Sequence, residues 1–128
     1  MQAGNRGYSL MICLTKDDPD IEAECLNRLR NGLVDGILIA STGQNTRLIR
    51  DIKANGVAVV QLVRNQDRKF SSVEADCFSC GYEAAKYLYK KGCTKIGFIN
   101  GSTEFTPYAE RYRGYHKAMK ELSLKEYQ

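Results

Sequence analysis

The sequence predicts an α/β fold: a parallel sheet with helices on both faces. Four short runs are apolar on alternate and intervening positions alike, as strands buried on both sides require. Each run is separated from the next by a segment of helical period. Glycines fall where the helical segments should stop. Parallel strands need a helical crossover between them, and such crossovers are right-handed.

The elements follow in order. Tyr8–Leu14 reads as a first strand, ended by the polar turn Thr15-Lys16-Asp17-Asp18-Pro19. Asp20 then suits the cap of a helix reaching about Asn31, with Ile21, Cys25 and Leu29 on one face and Leu26 beside them. Val34–Ala40 is a second strand and Asn45–Ala54 a second helix, whose stripe is Leu48, Ile49 and Ile52. Val57–Val63 is a third strand, and the polar stretch Arg64–Ser72 a loop. After Asp76 a helix runs to about Lys91, with Cys80, Ala84 and Leu88 as its expected inner face beside the small residues Gly81 and Ala85. Lys95–Asn100 is a fourth strand in the same sheet, and a last helix covers about Pro107–Leu122.

Composition narrows the function classes. The chain has 128 residues and a net charge of +4, with both signs interspersed, which fits a solvated surface. Lys86, Lys90, Lys91 and Lys95 form the densest basic patch, and a solvated helix face accounts for it. No apolar run approaches the roughly 20 residues of a membrane span, so no membrane partner is expected. Met1–Arg6 is polar and does not read as a signal peptide. The five cysteines are odd in number, and Cys13, Cys25 and Cys80 fall on expected core faces, so a reducing, cytoplasmic compartment is expected.

Motifs for chemistry are sparse. Cys77-Phe78-Ser79-Cys80 is a single CxxC, and His116 is the only histidine, too few ligands for a zinc set. No Gly-x-Ser-x-Gly elbow, GxGxxG or Walker loop occurs, and Gly101-Ser102-Thr103 is too short to cradle a diphosphate. The chain is therefore expected to be no enzyme and to carry no cofactor. In an open parallel sheet, ligands bind where the strands' carboxyl ends feed the helices. Thr15–Pro19, Ala40–Thr46, Arg64–Ser72 and Asn100–Thr106 would share that rim, rich in hydroxyl, amide and charged groups suited to a polar small molecule.

An ordered set of motifs goes further. It comprises Leu33-Val34-Asp35-Gly36-Ile37-Leu38-Ile39, Gly56-Val57-Ala58-Val59-Val60, Val73 with Asp76, and Gly81-Tyr82-Glu83-Ala84-Ala85-Lys86-Tyr87-Leu88. Lys91-Gly92-Cys93-Thr94-Lys95-Ile96-Gly97-Phe98-Ile99-Asn100-Gly101 and Arg111-Tyr112-Arg113-Gly114-Tyr115 complete it. The set resembles the lactose/galactose repressor family of transcription regulators. Many members have a histidine where this chain has Cys93.

The resemblance implies that residues 1–128 are part of a periplasmic-binding-protein-like effector domain, mostly its amino-terminal subdomain. It implies a small-molecule effector such as a sugar or nucleobase, a homodimer, and operator DNA bound only through a helix-turn-helix head that this chain lacks. By the same match Asp76 and Arg111 correspond to effector contacts, and Phe105 lies in the loop where specificity varies. Residue type alone leaves Asp76 readable as a helix cap and Arg111 as a solvated helix residue. The family has a strand and helix before the position of Tyr8, and that strand lies between the counterparts of Tyr8–Leu14 and Val34–Ala40. Without it, neighbouring strands are expected to expose apolar edges and the chain to be poorly stable, oligomeric or dependent on a partner. Two alternatives remain at this point: a secreted periplasmic-type sugar-binding protein, and a small flavodoxin-like enzyme.

Overall fold

The computed structural model describes residues 4–127. Met1–Ala3, within the stretch read as a non-signal amino terminus, lie outside the described residues. After a single 3-10 turn at Gly4–Arg6, the elements are α1 (Pro19–Leu29), β1 (Gly36–Ile39), α2 (Thr46–Ala54), β2 (Ala58–Leu62), β3 (Ser71–Val73), α3 (Cys77–Lys90) and α4 (Thr106–Glu121). The strands form one parallel sheet in the order β1-β2-β3, with Ile37 beside Val59 and Val60 beside Ser71. The parallel α/β architecture is as expected. The short β3 was read from sequence as the end of a loop and the approach to Asp76.

Two packing units share the chain: among the described residues their buried cores have no residue in common. The first is the sheet with α1 and α2. Parallel pairing puts Ile37 and Val59 on the same face, where they meet Leu26, Ile49, Ile52 and Phe70 in a dry core. Burial of such side chains contributes roughly 1.5–3 kcal/mol each. Asp18, rather than Asp20, caps α1. Its carboxylate accepts from the amides of Asp20 and Ile21 at 2.8 and 3.1 Å. Pro19 then takes the first helical position, where a missing N–H costs nothing.

The sheet's other face is bare among the described residues: Leu38 is 66% exposed and Val73 63%. The second helical layer expected there is not supplied, because α3 and α4 pack on each other instead. The expected first strand is absent too. Tyr8–Leu14 is irregular, with Ile12 and Leu14 exposed, since no strand among the described residues lies beside it to complete its ladder. It runs past α1, and Met11–Leu14 line a cavity of about 420 Å³ with Ile21, Cys25, Arg28, Leu29 and Leu33. Burial, then the nearby Cys25 thiol, pushes the Cys13 thiol above its ordinary value.

The second unit is α3 crossed on α4. A Cβ at Gly81 would fall on the Arg111 carbonyl, and one at Gly114 on the Phe78 carbonyl, so the helices meet backbone to backbone. Around that crossing Ala85, Ile96, Tyr115, Ala118 and Met119 are buried. The inner face of α3 is Cys77, Gly81 and Ala85, while Cys80, Ala84 and Leu88 are exposed, one position away from the expected stripe. Two close-approach glycines decide that rotation, since only they let the backbones touch.

The fourth expected strand belongs to this unit, outside the sheet. Lys95–Asn100 makes one bridge, Gly97 with Tyr127, and Ile99 is fully solvent-exposed. Tyr115 holds the segment down: its hydroxyl donates to the Ile96 carbonyl at 2.8 Å, and Phe98 stacks on its ring at 4.8 Å. No helix among the described residues is long and apolar enough to cross a membrane.

An uncovered apolar face and a β1 edge without a partner predict self-association of the isolated chain. Sedimentation velocity should show a mass that rises with concentration, and Leu38→Lys should lower it. A single monomer boundary at every concentration would contradict this reading of the sheet.

Candidate functional site

The first unit's rim is organised by a buried carboxylate. Glu22, on the inner face of α1, is 2% exposed. Its carboxylate accepts hydrogen bonds from Ser41 Oγ at 3.2 Å, the Thr42 amide at 2.8 Å, Thr42 Oγ1 at 3.0 Å and Asn45 Nδ2 at 3.0 Å. Asn45 Nδ2 also donates to the Pro19 carbonyl at 2.8 Å. The loop after β1 is thereby pinned to the start of α1. Gly43 carries it on at a positive φ of 86°, with a hypothetical Cβ 3.2 Å from Gln66.

A buried amide does the same for the loop after β2. Gln61, 3% exposed, accepts from the amides of Gln66 and Asp67 at 2.9 and 3.2 Å and donates to the Asp67 carbonyl at 2.8 Å. Arg50 closes on Asp67 at 2.7 Å from α2. Every backbone group so satisfied removes a penalty that a buried loop would otherwise carry.

These loops border an open cavity of about 420 Å³ lined by Asp17, Thr42, Gly43, Gln44, Gln66, Glu104 and Phe105. All four loops read from the sequence as a rim contribute, three from the first unit and Asn100–Thr106 from the second. The lining is mostly amide, hydroxyl and carboxylate, with the Phe105 ring as the one large apolar surface. Such a lining can hydrogen-bond a polar molecule from several sides while a ring covers its apolar face.

Arg64 stands at the junction of the two units. Its guanidinium pairs with the Asp17 carboxylate through two bonds of 2.5 and 3.0 Å and lies 3.8 Å over the Phe105 ring. The hydrogen bond from Arg64 holds the Asp17 carboxyl below its usual range.

Of the residues singled out by sequence, Phe105 lines the cavity. Asp76 and Arg111 both lie in the second unit, and neither is among the lining residues. Asp76 caps α3, accepting from the Ser79 amide at 2.9 Å and its hydroxyl at 2.7 Å, bonds that lower its pKa from the ordinary value. Arg111 lies over the Tyr108 ring at 5.6 Å, on the turn of α4 whose carbonyl touches Gly81. Glu22, Gln61 and Arg64 were not singled out. Glu22 falls in register with Cys25, Leu26 and Leu29, and Gln61 interrupts an apolar strand, so periodicity carried a signal for both.

Two outcomes are expected. Glu22→Ala leaves four donors without their acceptor and should cost roughly 3 kcal/mol, read by denaturant unfolding, with accelerated amide exchange at Thr42. Because folding depresses the Asp17 pKa, the Arg64 pair contributes above the ordinary carboxylate value and is lost as pH falls through the lowered one. A carboxyl-carbon NMR titration should place the Asp17 midpoint below about 3.9. In Arg64→Gln it should return to the ordinary range.

The comparisons with known proteins agree with this architecture. Residues 2–128 match the family described as periplasmic binding proteins and sugar binding domain of the LacI family. The HTH-type transcriptional repressor PurR of Pasteurella multocida (strain Pm70) is 35% identical over 123 residues, covering 94% of this chain and 36% of the repressor. A periplasmic binding protein/LacI transcriptional regulator from Alkaliphilus metalliredigens QYMF, solved with D-xylulofuranose, superposes with a TM-score of 0.85 at 28% identity. That match covers 97% of this chain and 45% of the other. The Cra transcriptional dual regulator from Pseudomonas putida, in complex with fructose 1-phosphate, gives 0.88 at 25% identity, covering 99% and 48%. The chain thus spans about 36% of the length of the curated relatives it matches. With the ordered motifs, the parallel sheet and the whole-length match together, the chain belongs to the family of periplasmic binding proteins and LacI-type sugar-binding domains.

Proposed function

We propose that this chain is part of the small-molecule-sensing domain of a transcription regulator, and that its effector is a sugar or similarly polar compound. The observation that carries the reading is the cavity at the carboxyl ends of β1 and β2, closed from the second unit by Glu104 and Phe105. A ligand held there touches both units, so its binding energy goes into their relative placement, which is how a small molecule biases one arrangement over another. Thr42, Gln44 and Gln66 supply hydroxyl and amide partners, and Phe105 a flat apolar surface for the C–H face of a sugar ring. Related structures hold D-xylulofuranose and fructose 1-phosphate, which supports a carbohydrate.

The regulator reading is preferred to a transport protein because a relative above 30% identity is a transcriptional repressor. On this proposal the working protein is a cytoplasmic dimer without enzymatic activity, and operator DNA is bound by a helix-turn-helix segment outside residues 1–128. Phe105 makes the ring contact. Asp76 and Arg111, at the start of α3 and on α4, serve as effector contacts once the cleft is complete.

Isothermal titration of the intact regulator against a panel of pentoses, hexoses and nucleobases tests this. Phe105→Ala and Arg111→Ala should each weaken the best ligand by about tenfold or more, the scale of one lost stacking or charge-assisted contact. Unchanged affinity in both variants would remove the site assignment.

A further inference from the structure

We propose that Arg64 is the positioning residue of this cavity: its guanidinium ties a lip on the first unit to the lip on the second and sets both. This deepens the reading above, since it concerns the same cavity. Arg64 pairs with Asp17 by two bonds and covers the Phe105 ring at 3.8 Å, and Asp17 and Phe105 both line the cavity. A planar guanidinium can do both at once: its edge carries the N–H donors and its face stacks on an aromatic ring. The Arg64 side chain is 12% exposed, so the pair is shielded from solvent on the arginine side.

The backbone holds Arg64 in this place at a cost. Val63 has a φ of 65°, a left-handed conformation that a β-branched residue rarely adopts. The Arg64 amide reaches back to the Leu62 carbonyl at 2.6 Å, closing a γ-turn of the rarer, positive-φ kind. That turn ends β2 abruptly and sends residue 64 toward the second unit. Asp17 meets it from a turn that is itself left-handed, with φ of 53° at Lys16 and 58° at Asp17. A long hydrogen bond also crosses the junction, Thr106 Oγ1 donating to the Asn65 carbonyl at 3.5 Å. The two buried cores share no residue among those described, so the stack of Arg64 on Phe105 is what joins the two lips of the cavity.

Hydrogen–deuterium exchange of the full chain without ligand tests this. Arg64→Gln should speed exchange in residues 15–18 and in residues 102–106 together, roughly tenfold in each, with α2 and the last turns of α4 unchanged. Arg64→Lys keeps the charge but neither the fork nor the flat face, and should fail to restore either segment. Release of only one segment, of neither, or full rescue by lysine would overturn the proposal. Should Arg64→Gln unfold the chain, a cycle of Asp17→Asn and Phe105→Ala decides instead. Their effects on the two segments should be non-additive if one guanidinium links them, and simple addition would overturn the link. No sugar enters the assay, so a ligand panel without a hit leaves this result intact, and loss of the arginine link leaves the sugar reading intact.

Discussion

A single carboxylate on α1 decides where the rim of the first unit can be. Glu22 sits 2% exposed against the sheet and takes four hydrogen bonds from Ser41, Thr42 and Asn45. A buried carboxylate is costly unless its acceptor sites are filled, and the loop after β1 fills them. Each side constrains the other: the loop has one placement that satisfies the acid, and α1 has one rotation that presents it. The hydroxyls and amides that face the cavity inherit their positions from that contact.

Much of this was legible in the residues, and the failures have physical causes. The parallel sheet, α1, α2 and the rim loops followed from apolar period and turn chemistry. Tyr8–Leu14 and Lys95–Asn100 have strand composition, yet neither forms a strand of the sheet. A strand is defined by its neighbours, and composition cannot say whether a neighbour is there. The rotation of α3 was misjudged because apolar character marked Cys80, Ala84 and Leu88, while the contact was made by the small residues Gly81 and Ala85. Within the site, Phe105 came from a family match and proved to line the cavity. Glu22 is charged, and residue type alone does not mark a carboxylate as buried; Arg64 has partners 47 residues before it and in the loop before α4, beyond the reach of local pattern.

Charge is divided as unevenly as structure. Residues 76–128 carry nine lysines and arginines against six acidic residues, whereas the first 75 carry ten against nine, so most of the net charge of +4 belongs to the second unit's stretch. At the seam Arg64 pairs with Asp17, and the Glu104 carboxylate lines the same cavity. The lining therefore carries two carboxylates, Asp17 and Glu104, and Arg64 pairs with the first of them.

The bare crossing of α3 on α4 has a mechanical consequence. At Gly81 and Gly114 no side chain separates the two backbones. Phe105 immediately precedes α4, so the ring that lines the cavity is joined directly to the helix that makes this crossing. Helices meshed through long side chains would soften a relative movement by rotamer changes. Here the backbones themselves meet at Gly81 and Gly114, which leaves α3 and α4 little room to shift independently.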